Sequence, residues 1–159
     1  MATLVVLGVL AGCGKPAVLD VDRSEVRIRE RLAETYDVTV DTVTCPDEVE
    51  VEEGATFTCR AEVGDGRVEV DVRQTDGEGT LEVEARAAIL STPRVEADIA
   101  ATLADRFARD DVTVTCDGPA VRIEEPEATF ACEAVDGDET REVEVRVRDA
   151  RGALAYTLR

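Results

Sequence analysis

The residues with the most capacity for chemistry are five cysteines, Cys13, Cys45, Cys59, Cys116 and Cys132, which divide along the chain as one plus two plus two. A thiol can hold a metal, attack a substrate, carry a modification or close a disulfide. Zinc is not expected: the chain has no histidine, each pair offers two thiols, and a four-coordinate site would have to bridge distant parts of the sequence. Redox exchange is not expected either, because the pairs are widely spaced and sit in strand-like sequence rather than in Cys-x-x-Cys. With no His, no Trp and Lys15 as the only lysine, the usual base for neutral pH is missing. The two serines, Ser24 and Ser91, stand where helix starts are expected, so capping is assigned to them rather than nucleophilic attack. Paired carboxylates are the remaining enzymatic option, in Glu50, Glu52 and Glu53 and in Glu124, Glu125 and Glu127. Strand alternation or an exposed turn would leave these solvated and close to their ordinary pKa. The string DGDE at 136–139 offers oxygen ligands for calcium, yet it lacks the spacing of an EF-hand and aligns with a hairpin turn. No catalytic residue, no metal site and no cofactor is therefore expected.

The elements that position the cysteines occur twice. VTCPDEVEVEEGATFTCRA at 43–61 matches VTCDGPAVRIEEPEATFACEA at 114–134, with two extra residues between the second pair of cysteines. Upstream the offset is 71, so that Ile28, Leu32 and Tyr36 fall on Ile99, Leu103 and Phe107. Downstream it is 73, and Phe57, Cys59, Val70, Gly79 and Leu81 fall on Phe130, Cys132, Val143, Gly152 and Leu154. Apolar, glycine and cysteine positions are what a shared core and shared turns would keep.

Each copy begins with a helix and continues as a sheet. Ile28, Leu32 and Tyr36 are spaced i, i+4, i+8 along a helix that starts near Asp22 or Ser24. In the second copy Thr92 is the expected N-cap with Pro93 at the first helical position, and Ile99, Leu103 and Phe107 form the buried stripe. The period then changes to two: Phe57, Cys59, Ala61 and Val63, then Val68, Val70 and Val72, then Leu81, Val83 and Ala85 alternate with polar residues. GDG at 64–66 and DGEG at 76–79 mark tight turns between consecutive antiparallel strands. The expected fold class is α+β, two tandem small domains, each a helix packed on an antiparallel sheet of about four strands. The expected boundaries are 21–88 for the first domain and 92–159 for the second, separated within AAILSTP at 87–93, a junction so short that the two should touch.

Four cysteines permit three pairings, and the duplication selects Cys45 with Cys59 and Cys116 with Cys132, since each copy must once have folded by itself. A unit of this size buries a marginal core, and closing a loop of about 15 residues is worth roughly 3 kcal/mol. Such bridges require an oxidising compartment.

The N-terminus agrees. Ala2 to Leu10 form an apolar run of signal-peptide length, too short to span a bilayer, which takes about 20 residues. Leu10-Ala11-Gly12-Cys13 resembles the bacterial lipobox, which implies cleavage of residues 1–12 and a lipidated Cys13 on a short tether through residue 20. Two or three acyl chains on one residue hold a membrane stably where a single chain does so only marginally. The run lacks the opening Lys or Arg of such signals, as expected if the true start lies upstream of Met1. Thirty-six acids against 18 basic residues give a net charge of −18, which excludes nucleic acid as a partner and makes the body stand off anionic headgroups.

VTCPDEVEVEEGATFTC also resembles the domain of unknown function 4333, a two-cysteine family of actinobacterial lipoproteins and membrane proteins. The first copy keeps Cys45, Pro46, Gly54, Phe57 and Cys59; the second keeps Cys116, Phe130 and Cys132 but has Asp117 for the proline and Glu127 for the glycine. The resemblance implies an envelope location and brings no activity or catalytic residues. The expected protein is a monomeric, non-enzymatic lipoprotein on the outer face of the cell membrane, held in the bilayer through acylated Cys13, binding or scaffolding an envelope protein or cell-wall component. A carboxylate-dependent cell-wall hydrolase and a divalent-cation-binding envelope protein are the alternatives.

Overall fold

Asp20 starts the first helix: its carboxylate accepts a hydrogen bond from the Arg23 amide at 3.1 Å, and α1 (Val21–Tyr36) runs from there to Asp37, which closes it in the left-handed conformation at φ 53°. The computed structural model describes residues 17–108 and 111–159. Ser24 is therefore not a cap. It lies inside the first turn, buried, its hydroxyl donating back to the Asp20 carbonyl at 2.8 Å. The second helix, α2 (Thr92–Phe107), also starts one residue earlier than expected, with Ser91 at the N-cap and Pro93 second in the helix. The Thr92 hydroxyl does not cap; it donates to the Pro119 carbonyl at 2.6 Å and ties the helix start to the loop between the cysteines.

Each helix covers one face of a four-stranded antiparallel sheet. The first sheet comprises β1 (Thr42–Thr44), β2 (Thr56–Val63), β3 (Gly66–Gln74) and β4 (Leu81–Ala85), in that spatial order. β5 (Ala88–Ser91) leads into α2. Beyond that helix come β6 (Val112–Cys116), β7 (Val121–Glu124), β8 (Thr129–Asp136), β9 (Glu139–Val147) and β10 (Leu154–Leu158). The second sheet has the order β10-β9-β8-β6. The fold is thus the α+β arrangement of two tandem units that the repeat implies. Period-two burial holds as read: Cys59, Ala61 and Val63, then Val68, Val70 and Val72 all face α1. Gly64 and Gly137 take φ 56° and 60° in the two-residue turns that join β2 to β3 and β8 to β9, a conformation in which a Cβ would be strained. The string DGDE is accordingly a hairpin turn, with Asp136 paired to Glu139 across it.

One element was absent from the sequence reading. β5 and β7 pair as a separate two-stranded ribbon, with Ile89 opposite Ile123 and Leu90 opposite Arg122. The stretch AAILSTP is therefore a strand of the second unit rather than a bare junction. The first unit has the same ribbon in short form: Leu19 donates to Val49 O and Val51 donates to Ala17 O, both at 2.8 Å, around a bridge between Val18 and Glu50. Ala17 to Leu19, expected in the tether, thus belong to the folded unit. Gln74 secures this short ribbon. Fully buried, it donates through Nε2 to Glu50 O at 2.8 Å and accepts from the Glu52 amide at 3.3 Å, where the second unit has the buried aliphatic Val147.

The ribbon joins the two cores. Along β5 alternate residues face opposite ways: Ala88 and Leu90 belong to the core under α2, while Ile89 belongs to the core under α1, together with Val121 and Ile123 of β7. Ile123 comes so close to the start of β3 that a Cβ on Gly66 would lie 2.7 Å from its Cδ1. Two exposed ion pairs, Arg94 with Asp37 at 3.5 Å and Arg151 with Glu84 at 3.4 Å, flank this contact. Exposed pairs of this kind contribute about 1 kcal/mol at most, so apolar burial holds the junction.

Candidate functional site

Four of the five cysteines are bonded within their own unit. Cys45 joins Cys59 and Cys116 joins Cys132, with Cα separations of 4.2 and 4.1 Å. In the second unit the two are direct cross-strand partners on β6 and β8. A repeated helical carboxylate fixes each pair: Glu25 accepts from the Cys45 amide and Glu96 from the Cys116 amide, both at 2.8 Å. These glutamates are 71 residues apart, the offset of the repeat, which is the signal by which sequence comparison could have found them. Cys13, the expected lipidation site, lies outside the described residues.

Of the carboxylates weighed as acid–base candidates, Glu50, Glu52, Glu53, Glu125 and Glu127 are exposed. Glu50 and Glu52 lend their backbone to Gln74. Glu124 faces Arg122 at 3.5 Å, and Glu127 holds φ 70° where the first unit has Gly54 at φ 83°. A hydrogen bond from the Thr80 side chain, with the amides of Thr80 and Glu78 donating to the Asp76 carboxylate at 3.0 and 2.9 Å, holds the Asp76 pKa below the usual carboxylate range. Asp149 caps the matching turn of the second unit through Arg151 and Ala153. On the outer face of the first sheet, Arg86 grips Asp71 with two bonds, Nε to Oδ2 at 2.9 Å and Nη2 to Oδ1 at 2.7 Å, and also reaches Glu69. That fork lowers the Asp71 pKa, with the Thr58 hydroxyl assisting. Arg159 and Glu144 repeat the clasp in the second unit. Among the described residues no group of three or more acids or thiols is placed to hold a metal ion.

Arg122 is a buried charge. Its guanidinium lies over the Phe130 ring, 4.4 Å from the centroid, beneath Gly118, where a Cβ would fall 2.5 Å from Nη2. Its Nε has no hydrogen-bond partner among the described residues. Cation–π contact and the Glu124 carboxylate hold it in place of an aqueous shell. It props β7 against β8.

One opening lies at the other end of the second unit. A recess of about 200 Å³ lies between the C-terminal end of α2 and the sheet. Leu103, Val112, Ala134 and Leu158 line it beside Phe107, and Asp136, Glu139 and Arg141 stand around them. Phe107, expected in the buried stripe, is half exposed here at 50%. The helix carries it one turn beyond Leu103, past the cover that the sheet provides. Its counterpart Tyr36 is better covered because the ribbon packs there; burial raises the Tyr36 pKa, with Glu84 adding to the effect.

With this geometry in hand, a family model matches residues 4–79 and again residues 81–152. The chain belongs to the family described as Domain of unknown function (DUF4333). No curated protein and no solved structure matches it. Both DUF4333 matches stop at the glycine of the last turn, Gly79 and Gly152, ahead of β4 and β10. The final strand of each sheet therefore lies outside the matched span of its own unit, although pairing with β3 or β9 makes it part of that unit.

Proposed function

We propose that this DUF4333 protein is an extracytoplasmic lipoprotein, anchored to the cell membrane through acylated Cys13, whose tandem units bind or scaffold an envelope component without catalysing a reaction. The observation that carries the reading is the pair of closed intra-unit disulfides, since such bridges persist in oxidising compartments and are rare in the cytosol. The apolar run ahead of Cys13 supports it, and the first family match begins at residue 4, inside that run. The non-enzymatic part draws on the carboxylates. Those with shifted pKa, Asp71 and Asp76, are held ionised by donors, the opposite of the raised value that a general acid requires at neutral pH.

Intact mass of the protein taken from membranes is the test. The expected species lacks residues 1–12 and carries diacylglycerol on Cys13, and Cys13→Ala moves the protein into the soluble fraction. A mass that corresponds to an unmodified chain starting at Met1 would refute the anchor.

A further inference from the structure

The recess of the second unit has a counterpart in the first, and there it is filled. Aligned by the repeat, Leu103, Phe107, Ala134 and Leu158 correspond to Leu32, Tyr36, Ala61 and Ala85. In the first unit Ile89, Val121 and Ile123 of the neighbouring ribbon join the core that holds Leu32, Tyr36, Ala61 and Ala85, and Ile123 reaches Gly66, the counterpart of Glu139. One recess thus displays its occupant: an extended segment that presents β-branched aliphatic side chains.

The free recess differs from the filled one in a directed way. Its floor has become more apolar, with Val112 for Asp41 and Leu158 for Ala85. Its rim has become charged, with Asp136 for Val63, Glu139 for Gly66 and Arg141 for Val68. A surface that was merely terminal would gain polar residues throughout. An apolar floor inside a charged rim is the anatomy of a site that exchanges its occupant with water.

We propose that this recess binds an extended, cationic segment of a partner protein, anchored by an aliphatic side chain against Leu103, Phe107 and Leu158. The proposal rests on the binding reading above and gives it a location. Arg141 is paired with Glu139 at 3.2 Å, so the cationic character follows from the excess acid that Asp136 gives the rim and from a net charge of −18 on the whole chain. A second copy of this chain is a poor occupant. On its first unit the positions of Ile89, Val121 and Ile123 are held by Val18, Glu48 and Glu50, which would bring two carboxylates toward Asp136 and Glu139.

The probe is a synthetic hairpin that joins AAILS to VRIE through Asn-Gly and ends in two lysines, titrated onto the methyl-labelled full chain in a lipid nanodisc. Saturable shifts at the methyls of Leu103, Val112 and Leu158 are expected. They should weaken at least tenfold with Phe107→Asp, whose exposed position leaves folding intact, and several-fold with Glu139→Arg, together with a loss of salt dependence. A hairpin with both isoleucines changed to serine should not shift them. Unmoved recess methyls, or equal shifts from the serine hairpin, would overturn the proposal. So would contacts from nanodisc acyl chains to these methyls without peptide, or self-association through this face in sedimentation. A lipidated mature mass alongside any of those results would remove the recess site while leaving the anchored lipoprotein in place.

Discussion

At the scale of single residues, the acidic character of this protein is put to use by arginines and backbone amides. The Arg86 fork on Asp71 makes the ionised carboxylate more favourable in the folded chain than in the unfolded one, where the group titrates near its ordinary value of about 3.9. A depressed folded pKa gives stability that is fully present above the unfolded value and is lost as pH falls through the folded one. Thermal melts of Asp71→Asn against the parent should therefore show a lower Tm at neutral pH and a gap that narrows below about pH 4. A gap independent of pH would assign the loss to packing instead. Glu25 and Glu96 act at the disulfides, each offering an acceptor to a cysteine amide. Nothing in the local sequence marks them, because a glutamate on the first turns of a helix is ordinary. Only the repeat sets them apart.

At the scale of elements, helices and long strands were legible because their patterns are local. Ile28 and Leu32, or Val68, Val70 and Val72, declare a period without reference to anything distant. The helix starts differ from the expected ones by a residue or more: Asp20 caps α1 locally through the Arg23 amide, while Ser91 takes the N-cap position of α2 without a side-chain bond because the Thr92 hydroxyl is engaged with Pro119 O. The ribbon of β5 and β7 was illegible for a different reason. Each strand has four residues: β5 is buried on both faces against different cores and shows no alternation, and the alternation of β7, VRIE, is too short to declare a strand. Gln74 marks where the units part ways. Gln74→Val copies Val147 but leaves Glu50 O and the Glu52 amide without their buried partner, which should cost about 1 to 3 kcal/mol in chemical denaturation. Hydrogen exchange should locate the loosening at residues 49–52.

At the scale of the whole molecule, the two units are one folded object because the second completes the core of the first. Ile123→Ser removes an aliphatic side chain from that core and should destabilise the first unit by about 1 to 3 kcal/mol. Exchange protection should fall in β2 and β3, while the amides of β8 and β9 hold. Equal losses in both units would mean that they unfold as one, and no loss in the first would show its core to be self-sufficient. Local pattern and duplication already carry two helix-and-sheet units, their turns, and the pairing of four cysteines, because a repeat must keep its own core and its own cross-links. Packing between the units set the ribbon of one into the end of the other and left Phe107 half bare beside a recess where Tyr36 is covered. Those outcomes depend on which surfaces meet across the junction, and burial between distant residues leaves no period in the chain to read.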